Sequence, residues 1–145
     1  MPTFVNTVVI HRRVEDVFAF LADFENVPRW NYAIVETRKT SAGPVGVGST
    51  YRQTRSVPNR TEETFVVARY EPGERLEIRG RLGPFPAVVS YVLESVAGST
   101  RLQNSVELEL RGPLRLAGPV VVARVKAAVA ANLEVLKEML EGDGR

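Results

Sequence analysis

Hydrophobic and polar residues alternate on two different periods along this chain, and the longest stretch of helical period lies near its C-terminal end. From Pro119 to Glu141, placed at about 100° per residue, Val122, Val125, Val129, Leu133, Leu136 and Leu140 fall in one stripe. Val121, Ala128, Val135 and Met139 widen that stripe, while Arg124, Lys126, Glu134, Lys137, Glu138 and Glu141 take the opposite side. The spacing predicts an amphipathic helix with an apolar arc broader than a coiled-coil seam. Asn132 interrupts the arc. An unpaired amide buried there would cost about 1–3 kcal/mol, so either the fold supplies partners or the helix faces a wet or ligand-filled space.

Elsewhere the period is mostly two. Thr3 to His11 is rich in Val, Ile and Thr and reads as a strand. Val14, Val17, Phe18 and Leu21 then recur at helical spacing, with Glu15 and Asp16 in the first turn where the helix dipole favours acids, so Val14 to Ala22 is expected to be a short helix. Phe24 to Trp30 reads as one more helical turn, ended near Pro28 because the residue before a proline avoids helical angles. Six further strand-like runs follow: Ile34 to Thr40, Thr50 to Val57, Thr61 to Tyr70, Leu76 to Arg81, Ala87 to Val96 and Thr100 to Leu110. Turn residues separate them, among them Gly43, Gly46 and Gly48, then Pro58 with Asn59, Pro72 with Gly73, Pro84 with Pro86, and Gly98. Connections this short imply antiparallel neighbours, since a parallel pair needs a crossover of about a dozen residues.

Inward faces follow from the alternation. In the seventh strand Leu102, Asn104, Val106, Leu108 and Leu110 oppose Arg101, Gln103, Ser105, Glu107 and Glu109. Val89, Tyr91 and Leu93 are the inward set of the sixth strand, and Leu76, Ile78 and Gly80 that of the fifth. Alternation is weaker in the third and fourth strands, where Tyr51 with Gln53 and Phe65 with Val67 are read as inward. Before the last helix come Gly112, Pro113, Gly118 and Pro119, the last suited to a first helical position, with a separate turn expected over Leu114 to Ala117. The elements add up to an α+β domain over residues 1–145, in which a twisted sheet of seven strands curls around one long C-terminal helix and two short helices plug one end.

Composition narrows the chemistry. With 44% hydrophobic and 25% charged residues the chain has the make-up of a soluble globular domain rather than a disordered one. Nineteen basic against 17 acidic residues, without a run of Lys and Arg, argue against a nucleic-acid footprint. No Cys is present, which removes disulfides, thiolate metal sites and cysteine nucleophiles. One His and scattered carboxylates make no metal set, and His11, beside Arg12 and Arg13, is expected in solvent. No stretch reaches the ~18 apolar residues of a membrane span and no signal-peptide pattern opens the chain, so a cytoplasmic location is expected. Gly46 and Gly48 sit between two strands and open no helix, so they read as a tight turn rather than a phosphate loop.

Local features resemble those of one family. They are Val14-Glu15-Asp16-Val17-Phe18 after the first strand, Asp23 to Trp30 with its Pro28 and Trp30, and Gly46-Val47-Gly48-Ser49 before the third strand. Tyr70-Glu71-Pro72-Gly73 with Leu76, and Gly98-Ser99-Thr100-Arg101, complete the series across nearly the whole chain. In order and spacing they resemble the polyketide cyclase/dehydrase-like family of the START-like (SRPBCC) superfamily, which shares the helix-grip fold of the birch-pollen-allergen-like proteins. The resemblance implies a cavity between sheet and long helix for a lipid, polyketide or isoprenoid-like molecule. It implies no particular reaction, no cofactor and no metal.

The expected ligand contacts combine inward amides with apolar and aromatic walls. Asn132 and Asn104 project from opposite walls and each offers a donor and an acceptor. Tyr91, Tyr51, Gln53, Phe65 and Val106 are expected to line the sheet side, and Val125, Val129 and Leu136 the helix side. Trp30 and Tyr32 are further aromatic candidates, Trp30 chiefly as a packing anchor. The adjacent Glu62 and Glu63 point to opposite faces of a strand, so one can look inward, where Glu63 with Arg69 or Arg79 could make a charged spot; the alternative is a solvated rim. The expectation is a carrier of a hydrophobic or amphipathic small molecule. The alternatives are a cyclase/aromatase-like or hydrolase-like enzyme using the same cavity and a protein-interaction module, with the homodimer left open.

Overall fold

Seven stretches of alternating residues become one sheet because each has an apolar face to hide. The computed structural model describes residues 2–57 and 59–143. Its strands are β1 (Thr3–Ile10), β2 (Ile34–Lys39), β3 (Thr50–Arg55), β4 (Thr61–Glu71), β5 (Arg75–Leu82), β6 (Phe85–Val96) and β7 (Ser99–Leu108). They form a single antiparallel sheet in the order β1-β7-β6-β5-β4-β3-β2. The expected number and direction of strands are thus present. Pro58, expected to close the third strand, lies outside the described residues.

The sheet curls through local irregularities. Register shifts occur between Ile34 and Glu36 in β2 and between Val67 and Arg69 in β4, and each such bulge increases twist. At Gly80 the backbones of β4 and β5 come so close that a Cβ would sit 2.6 Å from Phe65 Cβ and 2.6 Å from the Thr64 carbonyl oxygen. Only glycine fits that approach. The β6–β7 hairpin turns on Ala97 and Gly98, both with positive φ, as a two-residue turn of this hand requires.

Two short helices separate β1 from β2. α1 (Val14–Ala22) buries Val17, Phe18 and Leu21 and leaves Glu15 and Asp16 exposed in its first turn. A 3-10 turn at Phe24–Asn26 leads into α2 (Val27–Trp30). Pro28 does not end this helix, as expected from the sequence, but stands at its start. There a missing N–H costs nothing, because the first amides of a helix have no partner within it. Phe24, Tyr51 and Phe65 then make an aromatic cluster, with ring centroids 5.0–5.4 Å apart.

The long helix is α3 (Gly118–Asp143), preceded by a 3-10 turn at Gly112–Arg115. Its two halves are bound unequally. Leu133, Leu136 and Leu140 are at most 3% exposed, whereas Val121, Val122, Val125 and Val129 are only half-buried. Val135, expected in the apolar arc, is largely exposed, because the sheet covers a narrower sector than the arc offers. The C-terminal half is also tied to β1 and the turn after it. Lys137 Nζ donates to the Val9 carbonyl at 2.6 Å, Arg12 Nη1 to the Leu140 carbonyl at 2.6 Å, and the His11 amide to Glu141 Oε2 at 2.9 Å. Space is left under the N-terminal half.

Candidate functional site

That space has two adjoining parts. An inner chamber of about 70 Å³ lies among the short helices (Leu21, Phe24, Val27, Trp30, Asn31), the sheet (Gln53, Phe65, Ile78, Leu82, Val89, Tyr91, Asn104, Val106) and α3 (Val129, Asn132, Leu133). An outer vestibule of about 510 Å³ lies among Asn31, Tyr32 and Ala33, the end of β3 with Arg55 and Val57, the β5–β6 hairpin from Leu82 to Phe85, and α3 from Val121 to Asn132. Asn31, Leu82, Val129 and Asn132 line both. The chamber has room for several waters or a ring-sized group, and the vestibule matches a drug-sized ligand.

Polar side chains in the chamber are few, chiefly Asn31, Gln53, Tyr91, Asn104 and Asn132. Asn104, 1% exposed, donates its amide nitrogen to the Ser90 carbonyl at 3.1 Å. A carbonyl can only accept, so this bond fixes which end of the side chain is which, and Oδ1 is left as an acceptor with no partner among the described residues. Tyr91 stands directly across from Asn104 in the β6–β7 register, so both side chains point to the same face. Burial pushes the Tyr91 hydroxyl far above the usual tyrosine range. Asn132, 7% exposed, makes no side-chain hydrogen bond among the described residues. Its amide is therefore open to the cavity.

A charged network supports the vestibule from behind. Arg55 grips Glu63 through two bonds, and Gln53 Nε2 and the Gly83 amide add theirs at 2.8 and 3.0 Å. The expected partners Arg69 and Arg79 are not used. They lie on the wet face beside Glu71 and Glu77, whereas Arg55 continues the inward series Tyr51, Gln53 on β3. All four acceptor positions of the Glu63 carboxylate are occupied, which leaves no lone pair to abstract a proton. Arg55 Nη1 and the whole Arg124 side chain have no partner among the described residues.

Of the sequence-derived candidates, Gln53, Phe65, Tyr91, Asn104, Val106, Val129 and Asn132 are brought together around the chamber, with Val125 on the vestibule. Tyr51 and Leu136 lie outside both linings, in the packed core at 1% and 0% exposure. Burial, with Asp23, Glu25 and Tyr70 adding repulsion, pushes the Tyr51 hydroxyl from 10.0 up to about 12. Trp30 packs in the core while lining the chamber, and Tyr32 stands exposed at the vestibule rim. His11 is exposed beside Ser99, away from both spaces. Sequence reasoning missed Arg55, Arg124, Leu82 and Asn31. Period two through Tyr51 and Gln53 points to Arg55, but the helical wheel puts Arg124 on the polar side, and Pro84 with Pro86 mark the turn after Leu82 without marking Leu82 as cavity-lining.

A curved antiparallel sheet gripping a C-terminal helix, with a partly open cavity between them, defines a helix-grip domain of the START-like class. The chain belongs to the family described as "Polyketide cyclase / dehydrase and lipid transport", whose profile matches residues 1–141. Solved structures share the fold at low identity. TTHA0849 from Thermus thermophilus is 15% identical with a TM-score of 0.82, covering 99% of this chain and 100% of its own. The Zhui aromatase/cyclase from Streptomyces sp. R1128 is 14% identical with a TM-score of 0.81, covering 99% and 96%. A START superfamily protein from Mycobacterium smegmatis is 23% identical with a TM-score of 0.67, covering 97% and 95%. No curated protein matches the sequence. Among the described residues no helix is long and apolar enough to cross a membrane.

Proposed function

We propose that this protein binds a hydrophobic or amphipathic small molecule in the cavity between the sheet and the N-terminal half of α3. The observation that carries this reading is the Asn104 Oδ1 atom, buried on a residue that lines an apolar chamber and without a partner among the described residues. A buried acceptor left unmet costs about 1–3 kcal/mol, a cost that an incoming donor removes. The half-buried valines of α3 supply apolar area that a ligand would cover.

A carrier is favoured over a cyclase or hydrolase by what lines the two spaces. Among the described residues neither lining contains a histidine or an available carboxylate, and burial holds the Tyr91 hydroxyl protonated far above neutrality. The test is native mass spectrometry of protein purified from its own host, followed by incubation of any co-purifying molecule with fresh protein. Recovery of an unchanged hydrophobic molecule supports the carrier, and its conversion to a product establishes the enzyme instead. Protein that carries nothing and fails to take up Nile red would defeat both.

A further inference from the structure

Resting on that ligand-binding reading, we infer that the occupant is an amphiphile with a hydroxyl at one end and an acidic group at the other, seated hydroxyl first. The inner end is decided by Asn104. Its amide nitrogen is committed to the Ser90 carbonyl, so the end of this chamber-lining side chain left without a partner among the described residues is the acceptor Oδ1. A ketone, ether or carboxylate oxygen placed there would meet it lone pair to lone pair, whereas a hydroxyl donates to it. The neighbouring Asn132 amide and Tyr91 hydroxyl both donate and accept, so they serve the hydroxyl's own lone pairs. None of the described residues lining the chamber is a cation.

The outer end is decided by charge. Among the described residues that line the vestibule none is acidic, and two are arginines. The charge of Arg55 is balanced by Glu63, although its Nη1 remains free to donate, and Arg124 has no counter-charge among the described residues. An acidic headgroup would therefore be attracted to the vestibule, where water remains to solvate it, and would find no cation in the chamber.

The experiment is displacement of the neutral dye Nile red from the full chain by ω-hydroxylauric acid, lauric acid, lauryl alcohol and the corresponding α,ω-diol, with shorter and longer homologues alongside. The hydroxy acid is expected to displace the dye at about tenfold lower concentration than the plain acid, and the plain acid at about tenfold lower concentration than the alcohol. Asn104→Leu should erase the first preference and keep the second, and Arg124→Gln should do the reverse. If Asn104→Leu does not fold, the ligand comparison on the unaltered protein still decides. Displacement by all four probes without preference leaves the cavity reading intact and overturns this inference. Displacement by none, at any chain length, overturns this inference, and failure to take up Nile red at all overturns the cavity reading with it.

Discussion

Arg55 and Glu63 meet in a two-point clasp inside the sheet, Nε to Oε2 at 2.9 Å and Nη2 to Oε1 at 3.1 Å, with side chains only 9% and 2% exposed. A buried pair of this kind costs desolvation on both sides, and its net contribution to stability is small. Removing one partner is another matter. Glu63→Gln strands a guanidinium and is expected to lower unfolding free energy by about 3–5 kcal/mol, measured by urea titration, whereas adding Arg55→Met to Glu63→Gln removes the stranded charge, keeps an acceptor for Gln53 or the Gly83 amide, and should recover part of the loss. A single substitution that costs less than the double one would contradict this account.

Gly80 is the tightest point of the curl. Adding one methyl in Gly80→Ala puts carbon against Phe65 Cβ and the Thr64 carbonyl, so β4 and β5 must part. The expected loss is about 1–3 kcal/mol, together with weaker Nile red binding because Phe65 lines the chamber. A fully stable variant with unchanged dye affinity would show that the strands separate at no cost.

Asn132→Leu should separate recognition from stability. Removing an amide that has no partner among the described residues is expected to raise the melting temperature by about 2–4 °C for each kcal/mol recovered, while affinity for polar-headed ligands falls. A lower melting temperature would mean that the amide is satisfied by ordered water in the free protein.

Ala97 occupies a left-handed conformation at φ 50° in the β6–β7 turn. Ala97→Asn, which tolerates that region better, is expected to stabilise the protein by about 1 kcal/mol without affecting ligand binding, as chemical denaturation and dye titration would report together.

Acid should loosen the far end of α3. The Lys137 ammonium and the His11 amide hold the Glu141 carboxyl below its ordinary value of 4.5. Because the folded value is the lower one, the contribution is present above the unfolded value and is lost as pH falls through the folded one. Melting temperature should therefore drop below about pH 4.5 more steeply in the parent than in Glu141→Gln. Parallel acid limbs would place the effect elsewhere.

Periodicity alone determined most of the architecture. Seven strands, the α1 boundaries, the long helix and the inward faces of β5, β6 and β7 all follow from where apolar side chains recur, since a period of two or 3.6 has one way to bury them. The same alternation placed Asn104 inward and Asn132 on the apolar arc. It also placed Tyr51 and Leu136 inward, but inward is not the same as cavity-facing. Which buried positions touch neighbours and which touch space depends on how the short helices and α3 sit on the sheet, and that is settled by packing among residues distant in sequence. The pairing of Glu63 with Arg55 rather than Arg69 or Arg79, the position of Arg124 on the vestibule, and the gap beneath the first half of α3 are all of this kind. Each depends on the curvature of the sheet, which arises from bulges and the contact at Gly80 and leaves no period in the chain.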